Sequence, residues 1–164
     1  GYNPRHRVYP VGRLDKETTG LIILTSDGRM VNSVLRGERK QPKVYKVMVN
    51  GRLEGEHLQK LRDGIVIRTV AQRKGRSEEE NTLVARTKQC KVERIGPSSC
   101  RMTLVEGRNR QIRKMMEALG FRVVKLHRVE FMGIRLGNGL DRPGDWARLD
   151  DGEMRLVEDA IRSA

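Results

Sequence analysis

Residues 12–28 read GRLDKETTGLIILTSDG, and this stretch places an acidic residue, Asp15, between Arg13 and an apolar run. The run, residues 21–25, is partly β-branched and is typical of a buried strand. The carboxylate in front of it has two interpretations. Asp15 could cap a turn or, if neighbouring arginines keep it ionised, it could act as a nucleophile or a general base. The residues by themselves leave both interpretations open.

Short strands and short helices alternate along the rest of the chain. The clearest strand is KVYKVMVN, residues 43–50, in which Tyr45 shares one face with Val47 and Val49. The clearest helix follows EGRNRQ, where apolar residues recur at helical spacing in one stripe: Ile112, Met115, Met116 and Leu119. Further strands are predicted over residues 65–69, 91–95, 100–106, 122–127 and 131–136, and further helices over residues 29–36, 55–63 and 151–162.

This order of elements predicts the α+β class, with helices packed on a mixed and largely antiparallel sheet. The glycine-rich signatures G-x-G-x-x-G and Walker A, which mark nucleotide-binding folds, do not occur in the sequence. At 164 residues the chain fits one domain with room for two lobes. Residues 72–81, QRKGRSEEEN, contain no apolar side chain and predict a solvated loop, with an RNA contact as the alternative.

The charge balance indicates a polyanionic partner. The chain has 34 Lys and Arg residues against 21 Asp and Glu residues, for a net charge of +13, and its pI is about 10.4. A field of this sign favours nucleic acid, which is the commonest polyanion that proteins bind. The alternative is a protein that is basic without such a partner. Charge does not indicate which nucleic acid is bound or whether any chemistry follows.

Several kinds of site are poorly supported by the sequence. His6, His57 and His127 are scattered and have no ligands at metal-binding spacing, so no metal centre is predicted. Cys90 and Cys100 stand in strand-like contexts and are interpreted as packing residues rather than nucleophiles. Two cysteines are too few for a disulfide framework and suit a reducing compartment. No apolar run approaches the roughly 20 residues of a membrane span.

The block VGRLDKETTGLIILTSDG closely resembles the signature of pseudouridine synthases of the RsuA/RluB type, which modify ribosomal RNA. The resemblance continues in the family's order through KVYKVMV, EGRNRQIRKMMEALGF, KLHRVEFMGIRLGNG and PGDW. These blocks cover most of residues 11–149. The resemblance implies the catalytic-domain fold of that family over residues 1–164. It also implies isomerisation of uridine to pseudouridine in structured RNA, with ribosomal RNA as the expected substrate.

The same resemblance implies roles for individual residues. Asp15 would be the catalytic aspartate, and Arg113 would pair with it and hold it charged. Tyr45 would stack on the target uracil, Leu126 would line the uracil pocket, and Arg13 would help to hold the displaced nucleotide. The family reaction needs neither a cofactor nor a metal, because the base stays in the pocket and no redox change occurs.

Family members usually carry a small S4-like RNA-binding domain and a further strand segment upstream of the first block. The chain begins GYNPRHRVYP without an initiator methionine, so we interpret it as a fragment or a processed form. We expect it to lack both upstream parts, because it begins too late to contain either. We expect a monomer without a membrane association, located in the bacterial cytoplasm or in an organelle stroma or matrix. A non-catalytic RNA-binding or ribosome-assembly factor is the alternative, although binding alone does not require Asp15, Tyr45 and Arg113 together. A metal-dependent nuclease lacks the necessary ligand clusters.

Overall fold

The structure is a computed structural model, and it describes residues 7–31, 41–70, 77, 81–137 and 139–162. The chain divides into two compact units, Gly1–Lys43 with His127–Ala164 and Val44–Leu126, called the first and second unit below. In chain order the elements are β1 (Tyr9–Pro10), β2 (Thr18–Gly20), β3 (Leu24–Thr25), β4 (Lys43–Val49), α1 (Gly55–Asp63), β5 (Val66–Val70), β6 (Thr82–Arg86), β7 (Lys91–Gly96), β8 (Ser99–Leu104), α2 (Gln111–Ala118), β9 (Val123–Phe131), β10 (Ile134–Arg135) and α3 (Asp151–Arg162).

The largest sheet has the strand order β10-β9-β4-β8-β7, with β2 paired to β9 beside that path. Two further pairs, β1 with β3 and β5 with β6, form separate two-stranded sheets. The pairs β1–β3, β5–β6, β7–β8 and β9–β10 are all antiparallel. Strands β4 and β9 contain the residues at which one unit ends and the other begins. The predicted α+β class with an antiparallel sheet is therefore confirmed.

The three helices named above confirm their predictions. Helices α1 and α3 have the predicted bounds, and Gly64 ends α1 with a positive φ of 88°. In α2 the side chains of Ile112, Met115 and Met116 are buried, so the apolar stripe is the packed face. Gly120 follows this helix with a φ of 84°, the left-handed conformation that ends many helices. Periodicity and terminal glycines thus located these elements correctly.

The apolar run over residues 21–25 is not one strand, which corrects the prediction. Only Leu24–Thr25 pairs as a strand, and its partner is β1. The N–H of Leu21 instead donates to the carbonyl of Arg128 at 2.8 Å. The run therefore changes its pairing partner part-way, a tertiary arrangement that apolar content alone does not reveal.

The strands predicted over residues 122–127 and 131–136 also differ from the structure. One longer strand, Val123–Phe131, turns back through Met132 and Gly133 into Ile134–Arg135. Met132 has a φ of 56° and Gly133 a φ of 83°, so both turn residues are left-handed. Strand β6 was not predicted at all, because its short apolar segment adjoins the charged stretch at residues 72–81.

Two predictions fall largely on residues that the structure does not describe. For the helix predicted over residues 29–36, residues 28–31 are helical, and Asp27 Oδ1 accepts a hydrogen bond from the Arg29 N–H at 2.9 Å. Residues 32–40 lie outside the described residues. The loop predicted over residues 72–81 likewise lies outside them, apart from Ser77 and Asn81.

Each unit has its own apolar core. The first unit buries the cluster Val11, Leu21, Ile23, Met30, Phe131, Met132, Ile134, Val157 and Ala160. The second unit buries the cluster Val47, Val49, Leu53, Leu58, Leu61, Ile67, Val92, Cys100, Met102, Leu104, Ile112, Met115, Met116 and Leu126. Site residues in either unit are therefore supported by a packed core of that unit.

Among the described residues, no helix has the length and apolar character to cross a membrane.

Candidate functional site

Asp15 lies in a tight turn of the first unit, directly ahead of β2. The turn is closed by a hydrogen bond of 2.9 Å from the Thr18 N–H to the Asp15 carbonyl. This bond uses the backbone oxygen of Asp15 and not its carboxylate. The Asp15 side chain is partly exposed, and Arg13 is exposed. The carboxylate is therefore available for a role beyond closing the turn.

The residues after this turn are held closely against the part of β9 that belongs to the same unit. Gly20 has a φ of 110°, and a Cβ there would overlap the carbonyl oxygen of Arg128 and lie 2.6 Å from its amide nitrogen. The Leu21 N–H donates to that carbonyl at 2.8 Å. Thr19 Oγ1 lies 2.8 Å from His127 Nδ1. Three consecutive residues thus fix the distance between the turn and β9.

Tyr45 and Leu126 belong to the second unit, and both pack in its core. Leu126 is buried, and Tyr45 is half-buried against the same cluster, on the face that it shares with Val47 and Val49. A tyrosine in this situation has one part of its ring supported by apolar neighbours while another part remains accessible. Such a ring can support a planar base by stacking.

Arg113 also belongs to the second unit, on α2. Its side chain is only 8% exposed, and Ile112, Met115 and Met116 beside it are core residues. Removing a guanidinium from water is costly unless it interacts with polar groups, so arginines are seldom buried without a role. The structure thus places Tyr45, Arg113 and Leu126 in the second unit, and Asp15 and Arg13 in the first.

A buried carboxylate, Glu106, organises the segment that leads into α2. Its Oε1 accepts hydrogen bonds from the Lys88 N–H at 2.8 Å and from Gln111 Nε2 at 2.7 Å. Its Oε2 lies 3.3 Å from Arg108 Nε, which makes an ion pair. Because one carboxylate binds both the loop and the first residue of the helix, it fixes where α2 begins.

Arg108 extends this network to the end of β6. Its guanidinium donates to the carbonyls of Ala85 and Arg86 at 3.2 and 2.9 Å, and its N–H donates to Gln111 Oε1 at 3.0 Å. Arg110 adopts a left-handed φ of 51° as the helix begins. We did not predict this network. The sequence signal for it is EGRNRQ, in which every residue except Gly107 has a polar side chain.

Comparison with known proteins identifies the family. Residues 2–118 match the RNA pseudouridylate synthase family. The ribosomal large subunit pseudouridine synthase E of Xanthomonas axonopodis pv. citri is 36% identical over 147 residues, covering 87% of this chain and 70% of that protein. The chain belongs to the RNA pseudouridylate synthase family. The resemblance to RsuA/RluB-type enzymes is confirmed by these matches.

Other members of the family extend the comparison. The dual-specificity RNA pseudouridine synthase RluF of Shigella flexneri is 37% identical in an alignment 166 residues long, which covers 99% of this chain and 51% of that protein. The chain therefore spans about half the length of this relative. A crystal structure of a pseudouridylate synthase superposes with a TM-score of 0.76 at 28% identity, covering 92% of this chain and 59% of that one. The structural similarity confirms the pseudouridine synthase fold.

The family match includes most of the candidate site. Residues 2–118 contain Arg13, Asp15, Tyr45 and Arg113, whereas Leu126 lies beyond them. The match also includes Glu106 and its network, so the polar lead into α2 belongs to the same family region as Arg113.

The two cysteines are poorly suited to covalent chemistry in this fold. Burial raises the pKa of Cys90 and of Cys100 to about 11 in each case. Cys90 Sγ donates to the Leu61 carbonyl at 3.3 Å, and Cys100 is fully buried. Both side chains are therefore neutral thiols at physiological pH, which agrees with the prediction that they are packing residues.

Proposed function

We propose that this chain isomerises uridine to pseudouridine in structured RNA, with ribosomal RNA as the substrate class and Asp15 as the catalytic aspartate. The observation that carries the proposal is the family match over residues 2–118, because it includes Asp15, Tyr45 and Arg113 together. The net charge of +13 supports an RNA substrate. Relatives named for the ribosomal large subunit support ribosomal RNA in particular.

The target uridine must first leave the RNA stack. Extrusion of a base costs a few kcal/mol, and stacking on an aromatic ring returns about 1–3 kcal/mol. The half-buried Tyr45 is suited to this role, because core residues support its ring while part of it remains accessible. In this proposal Leu126 lines the uracil pocket and Arg13 holds the displaced nucleotide.

The chemical step exchanges one glycosidic bond for another. The bond between N1 and C1′ breaks, the freed uracil turns, and C5 bonds to C1′ while the proton on C5 is lost and N1 gains one. Asp15 acts either by attacking the sugar or by removing a proton from it, and both routes require an ionised carboxylate. Arg113 would hold Asp15 in that state, because a nearby cation favours the charged form of a carboxyl group. The atoms balance without an external reactant.

Pseudouridine mapping at base resolution tests this function. Ribosomal RNA transcribed in vitro, which contains no pseudouridine, is incubated with the parent chain, with Asp15→Asn, or with Asp27→Asn. The parent and Asp27→Asn should form product, and Asp15→Asn should form none while retaining RNA affinity. Asp27→Asn is a matched control because it makes the same change in the same stretch, at a partly exposed aspartate that pairs with Arg29.

The alternative is a non-catalytic RNA-binding or ribosome-assembly factor that retains the fold. In that case the parent chain would bind RNA and form no pseudouridine. Equal product from the parent and from Asp15→Asn would show instead that the chain is active but that the catalytic residue was assigned wrongly.

We further propose that the protein acts as a monomer in the bacterial cytoplasm, where ribosomal RNA is located. The named relatives come from bacteria, which supports this setting. Sedimentation of the chain with and without RNA measures the oligomeric state, and a stable dimer in the absence of RNA would contradict a monomer.

A further inference from the structure

Arg128, in the part of β9 that belongs to the first unit, is a charged residue with little access to solvent. Its side chain is 2% exposed, and the described contacts supply little compensation for the lost water. Its guanidinium carbon lies 5.1 Å from the centroid of the Phe131 ring, and Nε donates to the Leu21 carbonyl at 2.8 Å. Among the described residues no carboxylate pairs with it, and its buried Nη2 has no hydrogen-bond partner.

Stability alone does not explain a residue of this kind. A buried charge costs free energy that an apolar side chain of similar volume does not, and such replacements are often neutral or stabilising. The face of Phe131 offsets part of that cost through a cation–π contact. The remaining contact of Arg128, with the backbone of Leu21, therefore indicates its role.

Arg128 and Leu21 are joined by two hydrogen bonds in opposite directions. The Leu21 N–H donates to the Arg128 carbonyl at 2.8 Å, and Arg128 Nε donates to the Leu21 carbonyl at 2.8 Å. The backbone N–H and C=O of Leu21 are thereby both bound to a single residue of β9. The second bond also restricts rotation of the segment about the first one.

The chain between Leu21 and Asp15 is short and has little freedom to absorb a displacement. Gly20 is in close contact with the Arg128 backbone, and the Thr18 N–H closes the turn on the Asp15 carbonyl at 2.9 Å. A shift of Leu21 would therefore move the turn that presents the Asp15 carboxylate.

We propose that Arg128 is a positioning residue for Asp15, acting through the backbone of Leu21. This inference rests on the proposed function, since it concerns the placement of the catalytic carboxylate against the ribose. A displacement of about 1 Å in a reacting group can reduce a rate about 100-fold. The guanidinium holds Leu21 in place and thus keeps the displacement of Asp15 below that scale.

Two variants and a matched control test the proposal in the full chain. Arg128→Met keeps the approximate volume and removes the cation, and Arg128→Lys keeps the cation but lacks Nε at that position. Arg135→Met makes the same change on the adjacent β10, at a side chain that is 83% exposed and pairs with Glu130. The measurements are single-turnover rates at saturating in vitro-transcribed ribosomal RNA, together with the RNA dissociation constant.

The rate and the affinity should respond differently. Arg128→Met should lower the saturated rate about 100-fold, with an unchanged dissociation constant. Arg128→Lys should lower the rate by a smaller factor, and Arg135→Met should leave both quantities at the parental values. Loss of a merely structural residue would instead lower the active fraction, which active-site titration detects, without changing the rate of the folded molecules.

Amide hydrogen exchange supplies a readout that does not depend on activity. In Arg128→Met the exchange of the Leu21 and Thr18 amides should accelerate. The Leu136 amide, which donates to the Val129 carbonyl at 2.8 Å in the same unit, should exchange at its parental rate. If the parent chain forms no pseudouridine, the proposed function fails, while the exchange rates still test whether Arg128 restrains this segment.

Several outcomes would overturn the proposal. Parental rates and parental Thr18 exchange in both variants would show that Arg128 does not position the turn. Uniform acceleration that includes Leu136 would show a general contribution to the fold. If Arg128→Met does not fold, the same criteria apply to Arg128→Lys, and failure of both variants to fold would also assign Arg128 to general stability.

Discussion

The segment that carries Asp15 and the segment that carries Arg113 are held in their respective units by different physical means. The first depends on close backbone contact, with Gly20 against the backbone of Arg128 and Leu21 hydrogen-bonded to it. The second depends on side chains, with the Glu106 carboxylate joining a loop to the start of α2. Added volume at Gly20 should therefore disrupt the first segment, whereas loss of the Glu106 charge should disrupt the second.

This difference corresponds to the exposure of the two candidate side chains. Asp15 is partly exposed, so its own environment does not fix it and the backbone must supply the placement. Arg113 is buried on a helix whose neighbouring side chains are packed, so it is fixed by the position of that helix. The two candidate side chains thus differ in what fixes their positions, which is the backbone for Asp15 and the packing of a helix for Arg113.

The largest effect is expected from Gly20→Ala. The added Cβ would overlap the Arg128 carbonyl oxygen, and the positive φ of Gly20 is unfavourable for alanine. The free energy of unfolding should fall by about 3 kcal/mol or more, as measured by chemical denaturation. Gly28→Ala is the control, because a Cβ at Gly28 has no neighbour within 4 Å and its stability should be nearly parental. Equal stability of the two variants would contradict the close contact with β9.

Arg113→Ala should affect turnover more than folding. In the proposed function it removes the cation that keeps Asp15 charged, and loss of one electrostatic stabiliser costs about 100-fold in rate. Lys114→Ala changes the adjacent cation, which is less buried, and should have a much smaller effect. Single-turnover kinetics on ribosomal RNA, with denaturation curves for both variants, separate the two effects. A near-parental rate for Arg113→Ala would show that another residue supports Asp15.

Glu106→Gln tests whether charge holds the second segment. The amide retains the size of the side chain but removes the charge that pairs with Arg108, and in either orientation its NH2 group replaces one of the two acceptor oxygens. We expect a loss of about 2 kcal/mol in the free energy of unfolding, the scale of a buried hydrogen bond to a charged group. Glu117→Gln, at an exposed position of α2, should be neutral. Similar losses in the two variants would refute a specific role for the network.

The sequence predicted the helices well, because helical periodicity and terminal glycines are local signals. The stripe at Ile112, Met115 and Met116 and the stop at Gly120 needed no knowledge of the rest of the chain. The strands were harder to predict. Residues 21–25 look like one strand, yet Leu21 bonds to Arg128, far away along the sequence, and only Leu24–Thr25 pairs with β1.

The residues of the candidate site also differ in how far the sequence could predict them. Asp15, Tyr45 and Arg113 stand in short blocks that a family resemblance identifies directly. Glu106 stands in the same block as Arg113, and Arg128 stands in the block that begins KLHR, but the contacts of both depend on burial and on partners distant in sequence. The sequence does not indicate which arginine or glutamate is buried. Only the structure distinguishes these two residues from the many exposed charged residues of a basic chain.

The smallest effect is expected at the start of α3, where the first unit uses a local side-chain contact instead of a backbone one. The Glu153 N–H donates to Asp150 Oδ1 at 2.8 Å, and the Asp150 N–H donates to Glu153 Oε2 at 3.0 Å. Asp150→Ala should lower the free energy of unfolding by about 1 kcal/mol, because it leaves the Glu153 N–H without that acceptor. Asp151→Ala, one residue further on, loses only its interaction with the helix dipole and should cost about 0.5 kcal/mol. Denaturation curves of both variants measure the difference. A loss at Asp150 as large as that of Gly20→Ala would mean that local side-chain contacts hold the first unit as firmly as its backbone contacts do, and would contradict the particular dependence of this unit on close backbone contact.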